Sequence, residues 1–223
     1  KMYKEATGKD APTTLADVWA PELKGRVGLI SEMRDSVGLT LLSQGIDITS
    51  DESLTEDAFN AAVEFIAAQV SSGQIFNIKG NSYGEDLTNG NIIVALAWSG
   101  DTTILNAEVG EDRFGFVVPD TGSTISSDSF VVPMGSAHKK NAEALINYYY
   151  DPVNAAELAA YVNYVTPVVG AKEEMLKTDP ELAENPLIFP SEEFLANVHA
   201  FRALTGQEEQ RFATAWQNVL LGA

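Results

Sequence analysis

The sequence predicts an α/β fold, and three observations carry that prediction. Short apolar runs alternate with segments of helical period along the chain, the pattern of strands joined by helices. Residues 92–98, Ile-Ile-Val-Ala-Leu-Ala-Trp, form the most hydrophobic run and read as a buried central strand. Residues 27–30 form a second run, and a helical pattern at Val37, Leu39, Leu41 and Leu42 follows with hardly any loop between.

Residues 1–24 show no strand pattern; Thr13 or Thr14 caps a short helix through Leu15, Val18 and Trp19, punctuated by Pro21. The strand at 27–30 and its helix follow, with Gly45 as the C′ residue. After a polar connection at 46–53, Ala58, Ala62, Phe65, Ile66 and Val70 set a helical period that stops near Gly73. Residues 74–78 read as a strand, and the Gly- and Asn-rich stretch 80–91 as a loop with a short helix at 85–88. Beyond the run at 92–98 come a helix at 102–107, a strand at 114–119, a Gly/Ser/Thr-rich loop and a strand at 129–134. Helices follow at 139–149 and from Asp151-Pro152 through Tyr161, then a turn around Pro167 and Gly170. Three prolines break residues 171–190, leaving one short helix; Ser191 caps another, and a last helix runs over 208–221.

A chain of 223 residues holds one large domain or two small ones. Its net charge of −18 opposes nucleic acid and anionic lipid and attracts small cations, though acidity also serves solubility alone. No apolar run approaches the ~20 residues that span a bilayer. The amino end has no signal-peptide pattern, so the chain is expected to begin after processing or inside a longer one.

Tools for chemistry are sparse. Cysteine is absent, which excludes disulfides and thiolate metal sites. The two histidines, His138 at a helix entry and His199 on the C-terminal helix, lack zinc-site spacing, and no nucleophile elbow or Walker loop occurs. No catalytic residue, metal site or cofactor is assigned; a carboxylate-pair hydrolase is the enzymatic alternative.

For binding the sequence offers more. Glu32 and Asp35 stand where the strand at 27–30 gives way to its helix, and ligands in open α/β sheets bind at carboxyl ends of strands. Acids there also simply oppose the helix dipole. Trp98 and Asp101 follow the run at 92–98, Asp128 precedes the strand at 129–134, and Tyr164 lies in a turn. Each has a plain structural alternative: a core tryptophan, a turn-forming aspartate, a packed tyrosine. Together, acids and aromatics at strand ends fit an organic ammonium ion, held by charge-assisted hydrogen bonds and ring faces.

The stretch T-L-A-D-V-W-A-P-E-L-K-G-R-V-G-L, residues 14–29, resembles the S-W-A-D-L-W-x-P-x-x-K-G block of the spermidine/putrescine-binding proteins of ABC importers. The similarity continues colinearly through residues 32–35, A-W-S-G at 97–100, S-D-S-F-V-V-P from Ser127, E-A-L-I-N-Y-Y and Y-V-T-P at 164–167. It implies a periplasmic-binding-protein architecture with αβα lobes around a mixed sheet and the ligand in the cleft. By this resemblance Glu32, Asp35 and Asp128 fall on amine-binding acids, Trp98 and Tyr164 on aromatic positions, and Arg34 on a basic residue that orients its neighbours. Ser31, Asp101 and Ser126 flank these positions; Ser126 stands where the family pattern has a second cleft tryptophan, which removes a stacking face. Gln207 and Arg202 are both candidates for a polar contact near the carboxyl end.

The resemblance also implies an incomplete first lobe: residues 1–127 in the second lobe, 128–168 crossing to the first, and 169–223 returning. The expected function is capture of a small organic cation, a polyamine, for an ABC transporter permease, with closure of the lobes and no chemistry. The same fold binding another small solute is the alternative. The expected compartment is periplasmic or extracellular, with a lipoprotein anchor in the full-length protein as one form. Apolar surface on residues 130–134 and the helices beyond should then swap, dimerise or meet a missing first-lobe segment.

Overall fold

A computed structural model describes residues 1–222. In chain order the elements are α1 (Met2–Thr7), β1 (Val27–Ile30), α2 (Met33–Ser43), α3 (Glu56–Ser71), β2 (Ile75–Lys79), α4 (Tyr83–Thr88), β3 (Val94–Ala95), α5 (Ser99–Val109) and β4 (Ser123–Thr124). There follow α6 (Lys139–Tyr149), α7 (Pro152–Val162), α8 (Ala171–Thr178), α9 (Pro180–Ala183), α10 (Glu192–Leu195), β5 (Val198–His199) and α11 (Gly206–Gly222). Two 3₁₀ turns, Leu15–Trp19 and Pro21–Leu23, precede β1. The chain packs as two compact units: Lys1–Trp98 with Leu105–Ser126 and the chain from Ala196, and Ser99–Ile104 with Ser127–Leu195.

The first unit is built around a parallel sheet of order β2-β1-β3. All four residues of β1 are buried, which is why its sequence is an unbroken apolar run rather than an alternating one. Helices α2 and α3 connect β1 to β2, and α4 connects β2 to β3. Such crossovers return the chain in the same direction, so these three strands run parallel. Thr55 caps α3 by accepting from the Ala58 N–H at 3.2 Å. One face of α3, Phe59, Ala62, Val63 and Ile66, is buried, at the spacing of an amphipathic helix. Phe59 stacks on Phe212 of α11 with centroids 3.8 Å apart, and α11 buries Phe212, Trp216 and Val219 at a matching period.

Three strand expectations are corrected. The run at 92–98 is not a central strand: only Val94–Ala95 pairs, at the sheet edge, while β1 takes the centre. Residues 114–119 and 129–134 are not strands. The apolar side chains at 129–134 are largely exposed, Phe130 by 60%, Val131 by 80% and Met134 fully, so hydrophobic patterning there has no ladder to serve. His199 lies in β5, not on the last helix.

The second unit is helical. Its core is Ala155, Ala156 and Ala159 of α7, Ala171 and Met175 of α8, Ala183 of α9, and Ile188. Asp151 caps α7 by accepting from the Val153 N–H at 2.9 Å, ahead of Pro152 in the first turn. The expected boundary at 168/169 falls inside this core: α8 and α9 pack with α7, and the chain leaves the unit after Leu195.

Candidate functional site

In the first unit, β1 ends at Ile30 and α2 begins at Met33, with Glu32 at the N-cap and Asp35 in the first turn. The junction is tied down from several sides. Ser31 N–H donates to the Lys79 carbonyl (2.9 Å), Ser36 Oγ to the Ile30 carbonyl (2.6 Å), and Trp216 Nε1 to the Ser31 carbonyl (2.6 Å). Arg34 pairs with Glu209 of α11, its guanidinium carbon 5.9 Å from the centre of the Phe201 ring. It thus braces α2 against the last helix. Glu32 is exposed and accepts from Ser31 Oγ at 3.2 Å.

Asp35 is half-buried, and each of its oxygens accepts one hydrogen bond: Oδ1 from Thr124 Oγ1 at 3.0 Å, Oδ2 from Trp98 Nε1 at 3.4 Å. Trp98 follows β3 at the N-cap of α5; its backbone N–H donates to the hydroxyl of buried Tyr83 (3.0 Å), with the two rings 6.1 Å apart. Trp98 is thus neither a plain core residue nor free: its indole presents an N–H to an acid. Three of the five expected binding residues, Glu32, Asp35 and Trp98, lie in this unit, with Asp35 and Trp98 in direct contact.

The second unit holds the rest. Tyr164 follows Asn163, which ends α7 in the left-handed conformation with φ 59°. Its hydroxyl donates to Asp101 Oδ1 in the first turn of α5 at 2.9 Å. The ring lies so close to α5 that a Cβ at Gly100 would meet Tyr164 Cε2 at 2.7 Å; only glycine admits this approach. Burial, then the Asp101 hydrogen bond and charge, then the charge of Asp128 push the Tyr164 phenol above its ordinary range, so it remains a donor. Asp128 itself is exposed, as is Ser126 in the first unit.

Of the two candidates near the carboxyl end, Gln207 is exposed and Arg202 is committed elsewhere. Its guanidinium donates to Glu208 (2.6 Å) and the Leu54 carbonyl (3.0 Å) and lies 3.1 Å from Asp51, clipping the 48–54 segment to the start of α11. Sequence reasoning missed Thr124, Tyr83, Trp216 and Glu209. Thr124 sits in a Ser/Thr-rich loop without period, and the other three carry patterns indistinguishable from ordinary helix residues. Among the described residues there is no cluster of three or more His, Cys, Asp or Glu able to hold a metal, and no helix is long and apolar enough to cross a membrane.

Solved structures that share this fold include a substrate-binding protein. The chain superimposes on the spermidine/putrescine ABC transporter substrate-binding protein PotD from Streptococcus pneumoniae with TM-score 0.75 and 22% identity, over 97% of this chain and 64% of that one. At that identity the likeness is one of fold. The model of the bacterial extracellular solute-binding protein family matches residues 2–190, and the chain belongs to that family. Similar curated proteins include the spermidine/putrescine-binding periplasmic protein 1 of Haemophilus influenzae, 26% identical over 188 residues, covering 84% of this chain and 49% of that protein. The spermidine/putrescine-binding periplasmic protein of Escherichia coli is 26% identical over 194 residues, covering 86% of this chain and 53% of the relative. The chain thus spans about half the length of these curated relatives.

Proposed function

We propose that this chain carries the ligand-binding acids and aromatics of a periplasmic or extracellular receptor that captures a polyamine for an ABC transporter permease. The observation that carries the reading is Asp35, a half-buried carboxylate at the carboxyl end of the central strand, held by an indole and a hydroxyl with lone pairs to spare. A primary ammonium has three N–H donors and suits such an acceptor; the Trp98 ring beside it suits the methylenes. Glu32 adds a second acid two residues past the same strand. The second unit carries a set of the same chemistry in Asp101, Asp128 and Tyr164. The names of the curated relatives agree with a polyamine as cargo. In this reading Ser127–Leu195 belongs to the first lobe of the receptor and the other unit to the second, and the protein performs no chemistry.

Calorimetric titration of the complete protein with putrescine and spermidine tests it. Heat of binding with at least one is expected, and Asp35→Asn should weaken that binding by roughly 10- to 100-fold, the weight of a hydrogen bond to a charged group. A protein silent toward both polyamines while binding a sugar or an anion overturns the reading. Turnover of a glycoside that Glu32→Gln abolishes would instead reveal the hydrolase.

A further inference from the structure

We propose that Thr124 is a positioning residue of the binding site, orienting the Asp35 carboxylate for an incoming ammonium donor. The argument begins with the softness of the acid. The last torsion of an aspartate is broad, so a carboxylate held at one oxygen still swings about its own axis. Asp35 is held at both, by Thr124 Oγ1 at 3.0 Å and Trp98 Nε1 at 3.4 Å. A carboxylate offers about four lone-pair directions, and one donor per oxygen leaves a free direction on each. The shorter of the two contacts is that of Thr124, so the hydroxyl is the firmer restraint.

The hydroxyl is itself aimed by the fold. Strand β4 pairs in parallel with β5, Ser123 opposite Val198 and Thr124 opposite His199, and the ladder is closed by Ser123 N–H to the Asn197 carbonyl and Ile125 N–H to the His199 carbonyl, both 3.1 Å. The Thr124 methyl rests on α2 at Gly38: a Cβ built there would lie 2.9 Å from Thr124 Cγ2. Gly38 and Asp35 are three residues apart and share a helix face. Because a β-branched side chain is stiff at χ1, seating the methyl over Gly38 turns the hydroxyl toward the acid one turn earlier. Glycine within this helix is therefore the seat of the device.

The test uses the complete protein and the variants Thr124→Val, Thr124→Ser and Gly38→Ala, and its affinity arm rests on the polyamine reading. In ligand-free protein, the indole N–H resonance of Trp98, assigned with Trp98→Phe among the three tryptophans, should move in Thr124→Val and stay in Thr124→Ser. Putrescine binding should weaken about tenfold in Thr124→Val and by less than about threefold in Thr124→Ser. Gly38→Ala should copy the valine variant although alanine is the better helix former. A Trp98 resonance unmoved in Thr124→Val overturns the proposal, as does a moved resonance with putrescine affinity unchanged or raised. If the parent protein binds no polyamine yet the resonance moves, the positioning of Asp35 stands and the polyamine reading alone falls.

Discussion

The two units differ in what holds them together. The first buries large side chains around a parallel sheet, among them Leu29, Leu41, Phe59, Tyr83, Phe212 and Trp216. The second buries five alanines with Met175 and Ile188, and carries Phe130, Val131, Met134, Tyr161 and Val169 at exposures from 60% upward. Burial stabilises by roughly 25 cal/mol per Å² of apolar surface, so small residues return little for the backbone they order. On that basis the first unit is expected to be the more stable of the two, and the exposed apolar residues of the second mark surface of the kind that partners cover.

Four substitutions break or sharpen that contrast. The largest effect is expected from Phe212→Ala, which removes the partner stacked on Phe59: about 3–5 kcal/mol of stability, read by denaturant unfolding. The matching change in the second unit, Met175→Ala, should cost about 2 kcal/mol and leave amide exchange in β1 and α3 unchanged. Equal exchange in both units for both variants would mean that they unfold as one and would erase the distinction.

Next comes Asp86, buried at the end of the central sheet, which accepts from Asn91 Nδ2 (2.9 Å), Lys79 Nζ (2.6 Å) and Asn77 Nδ2 (2.7 Å). These donors, Asn91 foremost, hold its carboxyl at about 2, below its ordinary 3.8. The lowered value means that its stabilisation is fully present above the unfolded value and is lost as pH falls from about 4 to about 2. Asp86→Asn should destabilise the protein by about 2 kcal/mol at neutral pH and flatten the acid limb of its stability profile. An unchanged acid limb would show that the carboxylate is not paired in solution.

The smallest effect is expected in the second unit. Tyr164→Phe removes the hydroxyl donated to Asp101 and should cost about 1 kcal/mol. Its phenol is raised, so the folded state holds the proton more tightly, and the contribution persists below the ordinary value of 10.0 and fades as pH climbs beyond it. Ultraviolet titration should show Tyr164→Phe missing a tyrosine that ionises late; loss of an early one would contradict the pairing.

Much of this was legible from residues alone. β1, the start of α7 at Asp151-Pro152 and the period of α3 follow from local patterns, because helix starts and helix faces are set by neighbours within one or two turns. Glu32, Asp35 and Trp98 were likewise legible as candidates, because the strand-to-helix junction and the end of an apolar run are marked in sequence. The apolar pattern at 129–134 does not make a strand: hydrophobicity says that a segment prefers burial, not that a strand partner exists within reach.

The sequence by itself determined the α/β class, the acidic, histidine-poor character and the family, since composition, period and colinear motifs are properties of the chain. Only the tertiary structure decided which strand is central, that Arg34 and Arg202 are spent on bracing the last helix, and that a threonine 89 residues from Asp35 donates to it. Those outcomes depend on non-local pairing, in which a side chain's role is set by whatever the fold brings against it. Nothing in the neighbours of Thr124 announces Gly38 or Asp35.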